Sequence, residues 1–209
     1  MIYMTPQSGS LSFNDPYNEL YGIITTPSRY GKMIPQGRIW CADNEVFTGK
    51  FEWQRYKSWL QKMLPHQRSC VFVVAPDVVA DASATITQFA EYGPKIRALG
   101  YPVAFAAQDG QQNLSFPDFD ALFIGGSTEW KLSEAADYCI RYAQKQGKWT
   151  HVGRVNSQKR IRHFQIIGVD SVDGTHICFA PDKNIKVLNK QLLQPALFTI
   201  GDNQERNSR

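Results

Sequence analysis

Polar residues, and in one place a pair of glycines, directly follow most of the apolar runs in this sequence. They are Asp43, Asn44, Asp77, Gln108, Gly125, Gly126, Ser127, Arg154, Asn156, Asp170 and Asp173. A carboxylate can act as a nucleophile or carry a proton, whereas amides and backbone N–H groups hold a polar ligand. A single aspartate at the end of a strand is often only a turn former or a helix cap. The recurrence of such residues along the chain therefore predicts one shared site whose chemistry uses carboxylates.

The segment 153–163, GRVNSQKRIRH, is the basic cluster of the sequence. A helix N-terminus that follows a glycine and is flanked by arginine is a ready anion site. We predict Lys159 and Arg160 as phosphate ligands, and we expect Arg154 and Asn156 to contact a phosphate or a sugar. A solvated helix face is the alternative interpretation of Lys159.

The motifs of several enzyme classes are missing from the sequence. It has no GxSxG elbow, no P-loop and no GxGxxG after its first predicted strand, which argues against serine hydrolases, nucleoside triphosphatases and dinucleotide enzymes. Clustered carboxylates can in principle hold magnesium or calcium. The four histidines show neither HExxH nor paired Cys/His spacing, so the sequence has no recognisable zinc site. We therefore predict no metal and no cofactor.

Seven short apolar runs, rich in β-branched and aromatic residues, each stop at a polar or glycine cluster. They begin at Tyr21, Arg38, Cys70, Tyr101, Asp120, Lys148 and Ile166. Continuous hydrophobicity of this kind is typical of parallel strands that helices cover. Helical spacing fills the intervals: residues 53–64, residues 86–90, a separate short piece from Pro94 to Gly100, and two helices capped by Ser133 and Ser157.

This alternation indicates either an open doubly wound sheet or a (β/α)8 TIM-like barrel of parallel strands with outer helices. We prefer a small, irregular barrel, in which an eighth strand comes from ALFTI at Ala196 or from a segment before Tyr21, and residues 111–120 lack a helix. In both folds the carboxyl ends of the strands meet at one face, which would bring the polar residues together. We predict one domain over residues 1–209, with loosely ordered termini at 1–18 and 201–209.

Length and composition fit one cytoplasmic domain. The 209 residues are 43% hydrophobic and carry a formal net charge of +4, which permits contact with a polyanion without requiring it. The four cysteines, Cys41, Cys70, Cys139 and Cys178, lie far apart with no CxxC pair, which favours reduced thiols. The sequence has neither a signal-peptide layout nor a run of about 18 apolar residues, so we expect no contact with a membrane.

The ordered motifs at the strand ends resemble those of the tRNA-guanine transglycosylase superfamily, and within it the compact deazapurine DNA-modification transglycosylases of phages and bacteria. The motifs are CADN at Cys41, VVAPD at Val73, AAQDG at Ala106, FIGGST at Phe123, HVGRVNS at His151 and GVDSVDGT at Gly168. Their order and approximate spacing fit the family pattern over residues 38–175.

The resemblance implies a role for each matched residue. Asp173 would be the nucleophile that attacks the anomeric carbon of a nucleotide and expels its base, and Asp43 would manage a proton near the sugar and base. Asp77 would accept hydrogen bonds from the N–H groups of the purine, while Gln108 and the amide of Gly126 would address its carbonyl oxygen. A glycosidic bond breaks through an oxocarbenium-like sugar, which a carboxylate can trap covalently.

The neighbouring acid Asp170 is expected either to keep one carboxyl of the site protonated by repulsion or to cap a turn. The tRNA enzymes carry a zinc site of three cysteines and a histidine, and a basic loop, beyond the nucleophile, and GTHICFAPDKN from Gly174 has neither. DNA is therefore preferred over tRNA as the polymer. A base in duplex DNA must be flipped out, and Phe47 or Trp130 could stack against it if exposed. Packing in the protein interior is the alternative, and the commoner, role of either side chain.

Three functions follow as alternatives. The first is a pentosyltransferase that replaces guanine with a 7-deazapurine through a covalent intermediate on Asp173, with nucleic acid and a free purine or 7-deazapurine base as partners. The second is a DNA glycosylase or nucleoside hydrolase, in which water resolves the same intermediate. The third is a non-catalytic module that binds a nucleobase. The short chain is compatible with a homodimer or a partner subunit.

Overall fold

The chain forms eight parallel strands: β1 Ile2–Thr5, β2 Tyr21–Thr25, β3 Trp40–Ala42, β4 Cys70–Val74, β5 Val103–Ala107, β6 Ala121–Ile124, β7 Trp149–Val152 and β8 Ser171–Asp173. They pair in chain order, and β1 also pairs with β8, so the sheet closes into a barrel. The computed structural model describes residues 1–6, 18–29, 34, 37–175, 177 and 181–193. The predicted (β/α)8 TIM-like barrel is confirmed, and the alternative of an open sheet is wrong.

The strand that closes the barrel, β1, lies near the amino terminus. Its Tyr3 and Met4 are fully buried, and Met4 is in register with Asp173 of β8. The expectation that residues 1–18 form a loosely ordered terminus is therefore wrong for Ile2–Thr5. Four residues are too few to show a strand pattern in the sequence, and pairing along both edges stabilises them. The alternative strand at Ala196 and the tail 201–209 lie outside the described residues.

Helices follow five of the strands in the described part of the chain. They are α1 Trp53–Lys62, α2 Ala82–Arg97, α3 Thr128–Lys131, α4 Glu134–Lys145, α5 Gln158–Ile167 and α6 Pro181–Leu193. As predicted, Ser157 caps α5 by accepting a hydrogen bond from the amide of Arg160. Residues 111–120 contain only a 3₁₀ turn at Gln111–Asn113, so the barrel is irregular where no helix pattern was found. None of the helices in the described residues combines the length and apolar character that a bilayer span requires.

The helix α2 runs unbroken through Gly93 and Pro94, where the sequence indicates two separate helices. Proline removes one hydrogen bond from a helix interior and favours a break. Here Phe89 and Ile96 are buried on the same side of the helix, and the ring of Phe89 fits against Gly93. Packing of this face onto the barrel stabilises the helix across the proline.

Buried side chains form two clusters, one on each face of the barrel wall. The outer cluster joins strands to helices, for example Phe105 to Phe89, whose ring centroids are 5.3 Å apart. The inner cluster comprises Met4, Ile24, Cys41, Phe72, Val74, Ala104, Ala106 and Ala121. Side chains alternate between the faces along a strand, so Asp43 follows Cys41, and Gln108 follows Ala106, on the inner face. The inner face thus leads from an apolar interior to polar strand ends.

Three of the four cysteines lie in the described part of the chain. Cys41, Cys70 and Cys139 are free and buried. Burial raises the pKa of all three thiols, which keeps them protonated. These three thiols are unpaired, as predicted, and Cys178 lies outside the described residues.

Gly22 leaves the space that Met4 occupies inside the barrel. The two residues are register partners, and a Cβ added at Gly22 would lie 2.3 Å from the Sδ atom of Met4. We expect Gly22→Val to lower the free energy of unfolding by about 1–3 kcal/mol because it overfills the interior. Urea denaturation measures this change. In a Met4→Ala background, which has its own cavity cost, Gly22→Val should lower the stability by less than it does in the unchanged protein. An unchanged stability in the Gly22→Val single variant would contradict the packing described.

Candidate functional site

A cavity of about 660 Å³ opens at the carboxyl ends of the strands. Predicted residues that line it are Asp43, Asn44, Asp77, Gln108, Gly125, Gly126, Arg154 and Asp173. They come from the loops after β3, β4, β5, β6 and β7 and from the end of β8. The ionisable residues of the wall are Asp43, Glu45, Asp77, Asp173, Arg29, Lys50, Lys131 and Arg154. The size is that of small-molecule pockets, and the wall carries charges of both signs.

Asp173 ends β8 on the inner face and is held at both carboxylate oxygens. Its Oδ1 lies 2.9 Å from Nε2 of His151, and its Oδ2 accepts a hydrogen bond from the backbone N–H of Arg154 at 3.3 Å. The side chain of His151 is fully buried, whereas 17% of the Asp173 side chain is exposed. The carboxylate is therefore fixed in orientation and still open to a ligand in the cavity.

A buried chain of hydrogen bonds orients His151 beneath Asp173. The indole N–H of Trp149 donates to the hydroxyl of Ser171 at 2.8 Å, and this hydroxyl lies 2.8 Å from Nδ1 of His151. We assign the Ser171 hydroxyl as donor to Nδ1, so that the imidazole carries its hydrogen on Nε2 and donates it to Asp173. With this assignment a neutral imidazole and an ionised carboxylate both have partners.

A second polar network surrounds Asp77. Its Oδ1 and Oδ2 accept hydrogen bonds from the side-chain amides of Asn44 at 2.8 Å and Gln108 at 2.7 Å. Oε1 of Gln108 accepts in turn from the backbone N–H of Gly126 at 2.8 Å and of Ala80 at 3.0 Å. Burial raises the pKa of Asp77, and the hydrogen bond from Asn44 opposes this rise. Gln108 therefore orients Asp77, and a ligand that binds the amide of Gly126 must share it with Gln108.

Asp43 is the third acid of the cavity wall. Its Oδ1 accepts a hydrogen bond from the backbone N–H of Glu45 at 3.1 Å. Burial raises the pKa of Asp43 to about 6, and the negative charges of Asp173 and Asp77 contribute to the rise. A carboxyl group with this pKa can deliver or accept a proton near neutral pH.

Three non-glycine residues of the described chain have a positive φ, and all lie in loops that follow strands at the cavity end. They are Glu45, Ala80 and Arg154, with φ of 64°, 62° and 60°. This conformation costs roughly 1–3 kcal/mol for such residues, and strain of this kind clusters at functional sites. At Arg154 the strained backbone directs its N–H toward Asp173. The loops around the cavity are therefore held in unfavourable conformations that orient its acids.

Asp170 does not belong to the cavity. It precedes the three-residue strand β8, whose other end carries Asp173. Its Oδ2 accepts hydrogen bonds from the backbone N–H and the hydroxyl of Thr150, at 2.7 and 2.8 Å. Three residues of strand span about 10 Å, which separates the two acids along the barrel wall. The predicted place of Asp170 in the ring of site residues is therefore wrong.

Four other predicted residues lie outside the cavity lining. Ser127 caps α3 by accepting a hydrogen bond from the amide of Trp130. The carbonyl oxygen of the Asn156 side chain accepts from the backbone N–H of Thr175 at 2.7 Å. Lys159 and Arg160 occupy the first turn of α5. The structure thus gives Ser127 and Asn156 roles in shaping the loops, and it does not place the two basic residues in the cavity wall.

Sequence reasoning misses several residues of the site, among them Lys131 and His151. Lys131 lies in TEWK, which carries no spacing signal, and His151 belongs to neither an HExxH motif nor a Cys/His pair. The alternation of β7 could have found His151, because it places Trp149, His151 and Gly153 on the same face.

The two aromatic residues predicted to stack against a base differ in exposure. Phe47 is 63% exposed, lines the cavity, and lies under the guanidinium group of Arg154, 4.1 Å from the ring centroid. Trp130 is only 8% exposed, and its indole N–H donates to the side chain of Gln112. Of the two alternatives, buried packing therefore holds for Trp130, and Phe47 is available at the cavity.

The fold and the cavity define a (β/α)8 barrel with a pocket at the carboxyl ends of its strands, lined by acids and by basic residues. No protein-family model matches the chain, and no curated protein matches it either. The resemblance to the transglycosylase superfamily accordingly stays a prediction. Among the described residues, no three side chains of His, Cys, Asp or Glu are grouped as ligands for a metal ion.

Asp43→Asn is expected to stabilise the protein at pH 7. The pKa of Asp43 is about 6 in the folded protein and about 4 in the unfolded chain. The folded protein therefore loses stability as the pH rises through this window, because the buried carboxyl group must then ionise, and an asparagine avoids this cost. Each pKa unit corresponds to about 1.4 kcal/mol, so the variant should gain about 1–3 kcal/mol at pH 7 and nothing at pH 4. Urea denaturation at both pH values measures the difference. An equal effect at both would contradict it.

Asp170→Ala is expected to lower the free energy of unfolding by about 1–3 kcal/mol, because it leaves the backbone N–H and hydroxyl of Thr150 without their acceptor. Asp118→Ala is the control, since 82% of the Asp118 side chain is exposed and its ion pair with Arg97 lies at the surface, and it should change stability by less than about 1 kcal/mol. Thermal and urea denaturation compare the two variants. Equal stability of both would remove the structural role of Asp170.

Proposed function

We propose that the protein is a base-exchange pentosyltransferase that acts on nucleic acid and replaces guanine with a 7-deazapurine. One observation carries the proposal: the Asp173 carboxylate is partly exposed in the cavity, while His151 and the backbone N–H of Arg154 hold its two oxygens. An oriented carboxylate in a pocket with further acids suits covalent trapping of an oxocarbenium-like sugar. The resemblance of the strand-end motifs points to the same chemistry.

In the proposed first step, a carboxylate oxygen of Asp173 forms a bond to the anomeric carbon as the bond from that carbon to the base nitrogen breaks. The base leaves with the electron pair and takes a proton from Asp43, whose pKa of about 6 suits this transfer. In the second step, the nitrogen of the incoming base attacks the anomeric carbon and loses its proton to Asp43. Asp173 leaves as the free carboxylate, and no net proton or electron is consumed.

The Asp77 network is proposed to recognise the purine edge. Asp77 presents carboxylate oxygens to the cavity in an orientation fixed by Asn44 and Gln108. Such an acceptor suits the N–H groups of guanine and of 7-deazaguanine, and it would discriminate against a base without them. The amide of Gly126 would bind the carbonyl oxygen of the base, shared with Gln108.

DNA is the polymer that we propose, with tRNA as the weaker candidate. The formal net charge of +4 permits binding to a polyanion. A base within a duplex would have to leave the stack to reach Asp173, at a cost of a few kcal/mol. Exposed Phe47 at the cavity offers a surface on which the flipped base can stack.

Asp173→Asn is expected to reduce base exchange by about 10⁴-fold or more, because an amide cannot form the covalent intermediate. Incorporation of a labelled 7-deazaguanine base, and separately of labelled guanine, into DNA oligonucleotides measures the activity. Asp118→Asn is the matched control, an aspartate whose side chain is 82% exposed, and it should exchange at the rate of the unchanged protein.

Two results would replace the proposal by its alternatives. Alkali-labile sites in DNA incubated without a free base would show a glycosylase, since only hydrolysis creates them. Tight binding of guanine without exchange or hydrolysis would show a non-catalytic binding module. Full activity of Asp173→Asn would remove Asp173 as the nucleophile.

A further inference from the structure

Lys131 is a buried cation in the wall of the cavity. It is the last residue of α3, lines the cavity, and is only 4% exposed. Its Nζ donates a hydrogen bond to the backbone carbonyl of Gly153 at 2.9 Å. The ion pairs of the described residues do not include Lys131. An ammonium group has three donors, and this bond uses one of them.

Arg154 is a second cation in the same wall. Its guanidinium group donates to the backbone carbonyl of Gly126 at 2.8 Å and lies over the ring of Phe47. It takes part in none of the ion pairs of the described residues. Guanidinium has five donors in a fork that matches a phosphate, so this bond leaves most of its donors for a ligand. Both cations are therefore positioned by carbonyl groups of the loops after β6 and β7.

The electrostatics of the two cations favour an anionic ligand between them. Burial lowers the pKa of Lys131 to about 8, and the positive charge of Arg154 contributes, as that of Arg160 does. Asp173 and Asp109 act in the opposite direction. A buried ammonium without a direct carboxylate partner carries an unrecovered cost of desolvation, which an anion bound to it would offset.

We propose that Lys131 and Arg154 form an anion subsite that binds a phosphate group attached to the sugar in the cavity. The sugar part of this inference rests on the proposed function, because Asp173 marks where the anomeric carbon would lie. The backbone N–H of Arg154 binds Asp173, and Lys131 binds the carbonyl of the preceding Gly153. The subsite and the carboxylate therefore share the loop after β7, which places a phosphate beside the reacting sugar.

The subsite defines the substrate class as a phosphorylated nucleotide unit rather than a free nucleoside. It also moves the phosphate contact from the first turn of α5, where Lys159 and Arg160 lie, to the cavity wall. The alternative role of Lys131 is structural, as a clamp on the carbonyl of Gly153. A clamp would affect stability alone, whereas a phosphate ligand would affect binding of phosphate-bearing molecules selectively.

Calorimetric titration with 2′-deoxyguanosine 5′-monophosphate, its 3′-monophosphate and 2′-deoxyguanosine tests the subsite. We expect at least one monophosphate to bind tenfold or more tightly than the nucleoside. Lys131→Met should abolish most of this preference and leave nucleoside binding unchanged. Lys159→Met is the matched control and should keep the preference. Equal affinity for nucleoside and both nucleotides, or a preference that survives Lys131→Met, would overturn the proposal.

A phosphodiester in a polymer is distinguished from a free nucleotide by the salt dependence of oligonucleotide binding. If Lys131 contacts a backbone phosphate, Lys131→Met should reduce the slope of log affinity against log salt by about 0.7–0.9. An unchanged slope together with a lost monophosphate preference would assign the subsite to free nucleotides. If Lys159→Met changes the slope as much as Lys131→Met does, the effect reflects the overall positive charge of the surface, and the assignment to Lys131 is overturned.

Sulfate titration covers the case in which Lys131→Met does not fold. Sulfate stays doubly charged from pH 6 to 10, so its own charge does not change in this range. We expect its affinity to fall as the pH rises through about 8, because Lys131 then loses its proton. The charged groups that act on Lys131 are Arg154, Arg160, Asp173 and Asp109. A pH-independent affinity would overturn the role of Lys131. These measurements use no base exchange, so the subsite and the proposed transferase can fail separately.

Discussion

The pairing of β1 with β8 is the constraint on which the site depends. β8 is three residues long, and it is held between β7 on one edge and β1 on the other. Asp173 is in register with Met4, so the position of its carboxylate depends on a strand at the far end of the sequence. Without that pairing the last strand would have an open edge, and the hydrogen bonds from His151 and Arg154 would have to hold Asp173 alone. Closure of the barrel is thus part of the assembly of the candidate site.

The interior of the barrel changes character along its axis. Alanines at 104, 106 and 121 make room for the rings of Phe72 and Phe123, and the imidazole of His151 packs against both, with centroids 5.3 and 4.9 Å away. This apolar surrounding excludes water from the chain that runs through Ser171 and His151 to Asp173, and hydrogen bonds gain strength where water is excluded. The packing that stabilises the barrel therefore also orients Asp173, the candidate nucleophile.

Much of the fold was readable because parallel strands buried on both faces show as continuous apolar runs. The strand-end rule then brought Asp43, Asp77 and Asp173 together correctly. It failed at Asp170, since the sequence does not show where a strand of three residues begins, and the acids at its two ends look adjacent. His151 was missed although the alternation of β7 places it on the inner face, because a lone histidine in a strand does not show which acid it contacts. Lys131 was missed because its site depends on a contact with the loop after β7 that no spacing along the chain encodes. Strand β1 was predicted only as some segment before Tyr21, because its stability comes from its neighbours.

The two buried cysteines of the strands give the barrel an internal indicator of its own opening. Cys41 lies on the inner face two residues before Asp43, and Cys70 lies in the adjacent strand. A thiol reacts as the thiolate, and burial disfavours that form here while also blocking the approach of reagents. Alkylation at these positions must therefore wait for the strands to part, so its rate reports the exchange between the closed barrel and open forms. Mass spectrometry can follow the alkylation residue by residue at cysteines that the protein already contains.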